Sequence, residues 1–245
     1  MSGGRELEGR AGIITGAGSG IGAAIALELA GRGARLVLGD IALEAARRVA
    51  GQVHAGGGTA VAIAADVRRF EAAAALAQAC QEQLGAIDFA IANAGIGDVS
   101  SVADGDPARW RDVIETNVLG VAYLARAVLP AMRQRRQGHL VIMASVSGRE
   151  TYVGEPIYIA SKWAVVGLGR ALRKEALHYG VRVTLIEPGL VDTPLARSTT
   201  VGQEWLQRLD PLRPEDVARA VGFALQQPAH VAVNEIVVQP LAQEI

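Results

Sequence analysis

Gly12-Ile13-Ile14-Thr15-Gly16-Ala17-Gly18-Ser19-Gly20-Ile21-Gly22 is a short apolar run that breaks into a glycine-rich turn and re-emerges with a helical pattern from Gly20 to Gly31. The run Gly12 to Thr15 is apolar along its length rather than alternating, as in a strand covered on both faces. Glycines at a strand-to-helix turn let backbone amides close on a pyrophosphate, and the helix N-terminus adds aligned amide dipoles. The spacing T-G-x-x-x-G-x-G is more restrictive than the commoner G-x-G-x-x-G, and the strand and helix on either side supply the context that the motif requires.

The same alternation continues outward. Further strand candidates are Arg35 to Gly39, Ala60 to Ala65, Ile87 to Ala92, Leu140 to Ala144, Arg182 to Glu187 and Glu235 to Val238. Helical patterns fill the gaps at Ile41 to His54, Glu71 to Leu84, two stretches between Pro107 and Arg136, Glu155 to Tyr179, and Glu215 to Gln227. Repeated strand and helix with right-handed crossovers predicts an α/β fold, a doubly wound parallel sheet of seven strands with helices on both faces. Ligands of such sheets bind beyond the carboxyl ends of the strands, so the residues just after each strand matter most.

The second strand ends in Gly39-Asp40, 24 residues past Gly16. A carboxylate about 20 residues beyond the glycine turn accepts hydrogen bonds from ribose hydroxyls and repels a 2′-phosphate, which favours NAD over NADP. No Lys or Arg lies within the turn, and Ile41 follows Asp40. An N-cap for the next helix is the competing reading of Asp40.

A second constellation lies in Tyr158-Ile159-Ala160-Ser161-Lys162. The chain has two lysines, Lys162 and Lys174, against 22 arginines. With four tyrosines, roughly 0.03 Tyr-x-x-x-Lys pairs are expected by chance. Residues four apart share a helix face, so the ammonium would stand beside the phenol. A nearby cation favours phenolate and lowers the tyrosine pKa from about 10 toward working pH, as general acid/base catalysis requires.

Composition narrows the function classes. The chain has 245 residues, half of them hydrophobic, which suits one domain spanning residues 1–245. A formal net charge of −1 gives no electrostatic argument for nucleic acid or an anionic membrane. The single cysteine, Cys80, allows neither a disulfide framework nor a cysteine-rich metal site within one chain. His54, His139, His178 and His230 lack ligand spacing, so no metal is expected. The acidic start lacks the apolar region of a secretory signal, and the apolar run from Val118 to Met132 is broken by Arg126. A soluble, cytoplasmic protein is the expectation.

Taken in order, Thr15-Gly16-Ala17-Gly18-Ser19-Gly20-Ile21-Gly22, Asp66-Val67, Asn93-Ala94-Gly95, Asn117, Ser145, Tyr158 with Lys162, and Pro188-Gly189 followed by Thr193 resemble the short-chain dehydrogenase/reductase family in its single-domain, Rossmann-type branch. The resemblance covers essentially the whole chain. It implies a cofactor cradle of Gly16, Gly18, Ser19, Gly20, Ile21, Gly22, Asp40, Asp66, Val67, Asn93, Ala94, Gly95, Tyr158, Lys162, Pro188, Gly189 and Thr193. It also implies a catalytic set of Asn117, Ser145, Tyr158 and Lys162. In that set Ser145, 13 residues before Tyr158, holds the substrate oxygen, and Tyr158 moves the proton. Lys162 tunes Tyr158 and binds the nicotinamide ribose, Asn117 anchors a water leading to Lys162, and Thr193 with the backbone near Leu190 holds the carboxamide. Ser147 competes with Ser145 but stands out of register.

The sequence departs from the family pattern in places. Ala92 replaces a frequent asparagine, Glu187 precedes Pro188 where asparagine is common, and the end lacks an Asp-Gly-Gly closure. The last two features resemble a subgroup of reductases of small hydroxy acids, many of them using NADP. The substrate should therefore be a secondary alcohol or ketone of the small polar alcohol, sugar or hydroxy-acid class, with an NADP-dependent carbonyl reductase as the alternative. An extended-family epimerase and a nucleotide sensor without chemistry are more remote. Substrate contacts are expected from loops 96–101, 146–155 and 190–205, which hold Arg149, Glu150, Tyr152, Glu155, Arg197 and Trp205. Each of these reads first as a solvated loop residue, and the sequence leaves open whether Arg149 or Arg197 binds an anionic substrate group such as a carboxylate, phosphate or sulfonate. A homo-oligomer, tetramer or dimer, is expected through the long helices beginning near Trp110 and Glu155.

Overall fold

The computed structural model describes residues 6–244. The chain runs through β1 (Ala11–Thr15), α1 (Gly20–Gly31), β2 (Arg35–Asp40), α2 (Leu43–Ala55), β3 (Thr59–Ala64), α3 (Phe70–Leu84) and β4 (Phe89–Ala92). It continues through α4 (Pro107–Ile114), α5 (Gly120–Arg135), β5 (Gly138–Met143), α6 (Pro156–Ala176) and β6 (Val181–Pro188). It closes with α7 (Pro194–Arg197), α8 (Thr200–Arg208), α9 (Pro214–Gln226) and β7 (Glu235–Val238). All seven strands are parallel, in the order β3-β2-β1-β4-β5-β6-β7.

The continuous apolar runs have a direct explanation, because alternate residues of each strand feed opposite layers. Ile14, Leu36, Leu38 and Ile91 pack with Ile25 and Leu29 of α1, Val49 of α2 and Val221 of α9. Their neighbours Ile13, Val37 and Ala90 pack on the other face with Leu76 of α3, Leu124 of α5 and Val165 of α6. The order reverses at β1, whose two edges meet β2 and β4. A crevice opens at the carboxyl ends of these strands, at the topological switch point.

Two regions differ from expectation. The two helical stretches predicted after Pro107 are joined by a π-type turn, Glu115–Leu119, in which the amide of Gly120 reaches back to the carbonyl of Glu115. By length and composition, the resulting continuous helix 107–135 is long and apolar enough to cross a bilayer. Here Val121, Leu124, Val128 and Met132 bury its inner face against the sheet. The loop expected at 190–205 contains α7 and most of α8, each opened by a threonine whose hydroxyl accepts an amide from the first turn: Thr193 from Ala196 and Thr199 from Gly202.

Candidate active site

The glycine turn is shaped by close approach. Gly16 has φ +63°, and a Cβ there would stand 2.8 Å from the Cα of Ala94. A Cβ on Gly22 would come within 2.0 Å of the Gly16 carbonyl oxygen. Both positions therefore require glycine. Thr15 and Asn93 lock the turn to the end of β4. The Thr15 hydroxyl accepts the amides of Asn93 (3.1 Å) and Ala94 (3.2 Å), and Asn93 Nδ2 donates to the carbonyls of Thr15 (2.9 Å) and Gly16 (3.1 Å).

A cleft of about 400 Å³ lies over this turn, lined by Gly16, Ser19, Gly20, Ile21, Gly22, Asp40, Asp66, Val67, Asn93, Ala94, Gly95 and Thr193, among others. Gly18 does not line the cleft and works from behind: its amide donates to Asp40 Oδ2 at 2.8 Å. Asp40 Oδ1 accepts the amide of Ala42 at 2.9 Å, so it is both a brace for the turn and a carboxylate at the cleft wall. The arginines of this cleft are engaged elsewhere. Arg68 forks onto Asp66 and reaches Asp112 at 2.7 Å, and Arg109 donates to the Gly97 carbonyl at 2.6 Å. Hydrogen bonding from Arg68 holds the Asp66 carboxyl below its usual range, so Asp66 is acceptor-only. A glycine cradle with no room for side chains, next to an acceptor at the end of β2, fits the pyrophosphate and ribose of a dinucleotide.

A second cleft, of about 370 Å³, adjoins the first and shares Ile21, Asn93, Gly95 and Thr193 with it. Ser145, Tyr158 and Lys162 line it, together with Pro188 and Gly189. Ser145 follows β5. Its hydroxyl accepts the amide of Ser147 at 3.1 Å, donates toward Ser147 Oγ at 3.2 Å, and hydrogen-bonds Tyr158. Tyr158 and Lys162 lie one turn apart on α6, with Lys162 Nζ 5.6 Å from the phenol ring centre.

The electrostatics differ from the sequence-based expectation. Burial pushes the Tyr158 phenol above its ordinary value. Its hydrogen bond with Ser145 works against that, and the charge of Glu155 adds to it. The ammonium of Lys162 is not what dominates Tyr158. Lys162 is itself lowered to about 8 by burial, and its Nζ donates to the Met143 carbonyl at 3.2 Å.

Asn117 sits in the π-type turn and is 2% exposed. Its Oδ1 accepts the Ile96 amide at 2.9 Å, and its Nδ2 donates to the Ile96 carbonyl (2.9 Å) and to Ser161 Oγ (3.0 Å). The side chain therefore clamps the loop after β4 onto α6, one residue from Lys162, and has no donor left for a water. The Leu190 amide is likewise committed, to Gln243 Oε1 at 2.8 Å.

Arg149 and Arg197 are not anion anchors in this structure. Arg149 pairs with Glu187 and Glu235, Arg197 forks onto Asp192 at 2.6 and 2.7 Å, and neither lines the cleft. The cleft instead draws Tyr152, Glu155 and Trp205 from the expected loops and Gln243 and Glu244 from the chain's end. Ser147, set aside on register, also lines it and is 5% exposed. Sequence spacing ranks positions along one element, and it carried no signal that the C-terminal segment folds back over β6.

Residues 10–204 match the family model described as short chain dehydrogenase. An uncharacterised oxidoreductase of Staphylococcus saprophyticus is 39% identical over 240 residues, covering 96% of this chain and 99% of that one. The glycine betaine reductase of Emericella nidulans is 35% identical over 244 residues, 98% of this chain but 19% of that protein. Among solved structures, a metagenomic short-chain oxidoreductase in complex with NADP superposes with a TM-score of 0.84 at 30% identity, covering 97% of this chain and 100% of that one. A 7α-hydroxysteroid dehydrogenase complexed with NADH and 7-oxo glycochenodeoxycholic acid superposes with a TM-score of 0.88 at 30% identity, covering 97% and 96%. With that match over most of its length and the ordered site just described, the chain belongs to the short-chain dehydrogenase/reductase family of NAD(P)-binding oxidoreductases.

Proposed function

We propose that the protein is an alcohol dehydrogenase or carbonyl reductase that prefers NAD and acts on a small polar secondary alcohol or ketone. The observation that carries this reading is the meeting of Ser145, Tyr158 and Lys162 on the wall of one cleft that opens into the glycine cradle. When bound, the nicotinamide cofactor accepts or supplies the hydride. Tyr158 Oη holds the proton that moves to or from the substrate oxygen, and Ser145 Oγ fixes that oxygen beside it by hydrogen bonding. Lys162 places a cation one helical turn from the phenol and within the cleft, where it would hold the nicotinamide ribose of a bound cofactor. Asn117 and Thr15 act from behind, as positioning residues for the loop after β4.

Asp40 supports NAD. A carboxylate faces the ribose end of the cleft, and the nearby arginines are held by Asp66, Asp112 and Gly97 rather than free to hold a 2′-phosphate. The solved relatives include one complex with NADP and one with NADH. The glycine betaine in the name of the Emericella nidulans relative is a quaternary-ammonium compound, so such compounds belong among the substrates tried. We also propose a homo-oligomer in the cytoplasm. Trp163 on α6, Leu177 just past its end and Leu119 in the π-type turn are exposed apolar side chains along the long helices, and an oligomer would cover them.

The test is to follow reduced-nicotinamide absorbance over a panel of secondary alcohols and ketones with each cofactor, using wild type and Tyr158→Phe. Turnover with NAD that falls at least about a thousandfold in Tyr158→Phe is expected. Equal turnover by the two proteins would overturn the assignment.

A further inference from the structure

The substrate half of the cleft has an uneven distribution of charge. Its lining holds two carboxylates, Glu155 and Glu244, and one cation, Lys162, which is 6% exposed and turned to the Met143 carbonyl. No arginine lines it. Glu155, the residue before α6, is half-buried and forms neither an ion pair nor a side-chain hydrogen bond among the described residues. A second carboxylate, Asp98, held by Ser100 Oγ at 2.6 Å, is close enough that its charge adds to burial in raising Glu155. The same uncompensated charge of Glu155 also raises Tyr158.

A partly desolvated carboxylate beside another carboxylate is unfavourable in isolation and is relieved by a cation. The one cation of the lining, Lys162, is turned to the Met143 carbonyl and makes no ion pair with Glu155 among the described residues. Arg149 and Arg197, the cations of the neighbouring loops, are neutralised by Glu187, Glu235 and Asp192. Two aromatic side chains complete the lining. Tyr152 (40% exposed) and Trp205 (42% exposed) line the cleft beside Tyr158. Ring faces attract alkylated ammonium groups, which are weakly hydrated and pack well against them.

We propose that the substrate carries a quaternary or otherwise alkylated ammonium group a few atoms from its reacting carbon, bound by Glu155 between the rings of Tyr152 and Trp205. The inference rests on the reading of Ser145 and Tyr158 as the hydride-transfer site, and it names the substrate class of that site. The cation has two effects: it places the reacting oxygen against Ser145 and Tyr158, and it cancels the charge of Glu155 that opposes ionisation of Tyr158. Recognition and proton transfer are thereby linked through one carboxylate.

The experiment compares three ketones of similar size: (2-oxopropyl)trimethylammonium, its neutral carbon isostere 4,4-dimethylpentan-2-one, and the anionic acetoacetate. The readouts are kcat/KM with the preferred cofactor and, independently, calorimetric binding of (2-hydroxypropyl)trimethylammonium against 4,4-dimethylpentan-2-ol to the protein with oxidised cofactor. The cationic compound is expected to lead by at least about tenfold in both readouts. That lead should shrink toward parity in Glu155→Gln. It should persist in Glu150→Gln, which removes the same charge from an exposed position of the same loop outside the cleft. Parity in the wild-type protein, or a preference for the neutral or anionic ketone, overturns the inference while leaving the hydride-transfer reading in place. Turnover of none of the three, with selective binding of the ammonium alcohol lost in Glu155→Gln, upholds the cation site and removes the oxidoreductase reading for this chemistry.

Discussion

Lys162 shows how far a single residue can depart from what is best for stability. Its ammonium is buried against a carbonyl and a phenol ring, with no carboxylate paired to it among the described residues. Burial sets its folded pKa at about 8, below the ordinary value of 10.5. Below pH 8 both folded and unfolded chains carry the charge, and the folded chain bears the full desolvation cost. Between pH 8 and 10.5 the folded chain releases its proton first, and the cost fades. Lys162→Met should therefore abolish turnover yet stabilise the cofactor-free protein at pH 7 by about 1–3 kcal/mol, with the gain vanishing near pH 10.5. Urea melts at pH 7 and near pH 10.5 check this; a gain of the same size at both would exclude burial of the charge as its cause. Asp40 makes a complementary case. Asp40→Asn keeps an oxygen for the Gly18 amide but removes the charge, so the NAD to NADP ratio of kcat/KM should fall by about tenfold or more. An unchanged ratio would mean that Asp40 only braces the turn.

At the level of elements, the loop after β5 is held by ions as well as by the burial of Val146. Glu187 of β6 is 0% exposed, and Arg149, just past the short 3-10 turn Val146–Gly148, reaches it with Nη2 at 2.8 Å from Oε1. Arg149 also meets Glu235 of β7, which Arg170 of α6 engages at 2.7 Å. This network ties β6, β7 and α6 to the segment that begins at Ser145. Arg149→Met would strand Glu187 as a buried charge and should cost about 3–5 kcal/mol. The double variant Arg149→Met/Glu187→Gln should recover part of that loss, as read from a denaturation cycle. Additive losses would remove the pairing argument.

The same network marks the limit of what the sequence shows. Strands with unbroken apolar runs were legible because burial on both faces leaves a local pattern, and Glu235 to Val238 matches β7 residue for residue. The glycine turn and the Tyr158–Lys162 spacing were legible because their chemistry acts over one turn. The pairing of Arg149 was not legible, and its role stayed open between a solvated loop residue and a substrate contact, because its partner Glu187 lies 38 residues away. The helices α7 and α8 were missed because, at 4 and 9 residues, they are too short for periodicity to separate them from a loop.

For the molecule as a whole, His139 sets an acid limit. It is 0% exposed on β5, and its Nε2 meets the Thr184 hydroxyl at 2.8 Å. That hydroxyl itself donates to the Val233 carbonyl, so Nε2 must carry the proton, and Nδ1 has no partner. Burial lowers this histidine from 6.5 to about 3. The unfolded chain takes up its proton as pH falls through 6.5 while the folded chain does not, so stability declines below that point by about 1.4 kcal/mol per pH unit, levelling only near pH 3. His139→Gln, which keeps a donor for Thr184 and does not titrate, should flatten this slope in denaturation curves taken from pH 7 to 4. A slope unchanged by the substitution would assign the acid loss to other groups.

The reversal of strand order at β1 has a consequence for how the chain comes off the ribosome. β1 is complete by residue 15 and finds β2 within the next 25 residues, but its other edge pairs with β4, at Phe89 to Ile91. Until that segment emerges, Gly12, Ile13 and Ile14 present open backbone amides and carbonyls and a bare apolar surface. A strand interior to the finished sheet is thus the edge of the nascent one, and the chain's period of greatest aggregation risk falls between the synthesis of β2 and of β4.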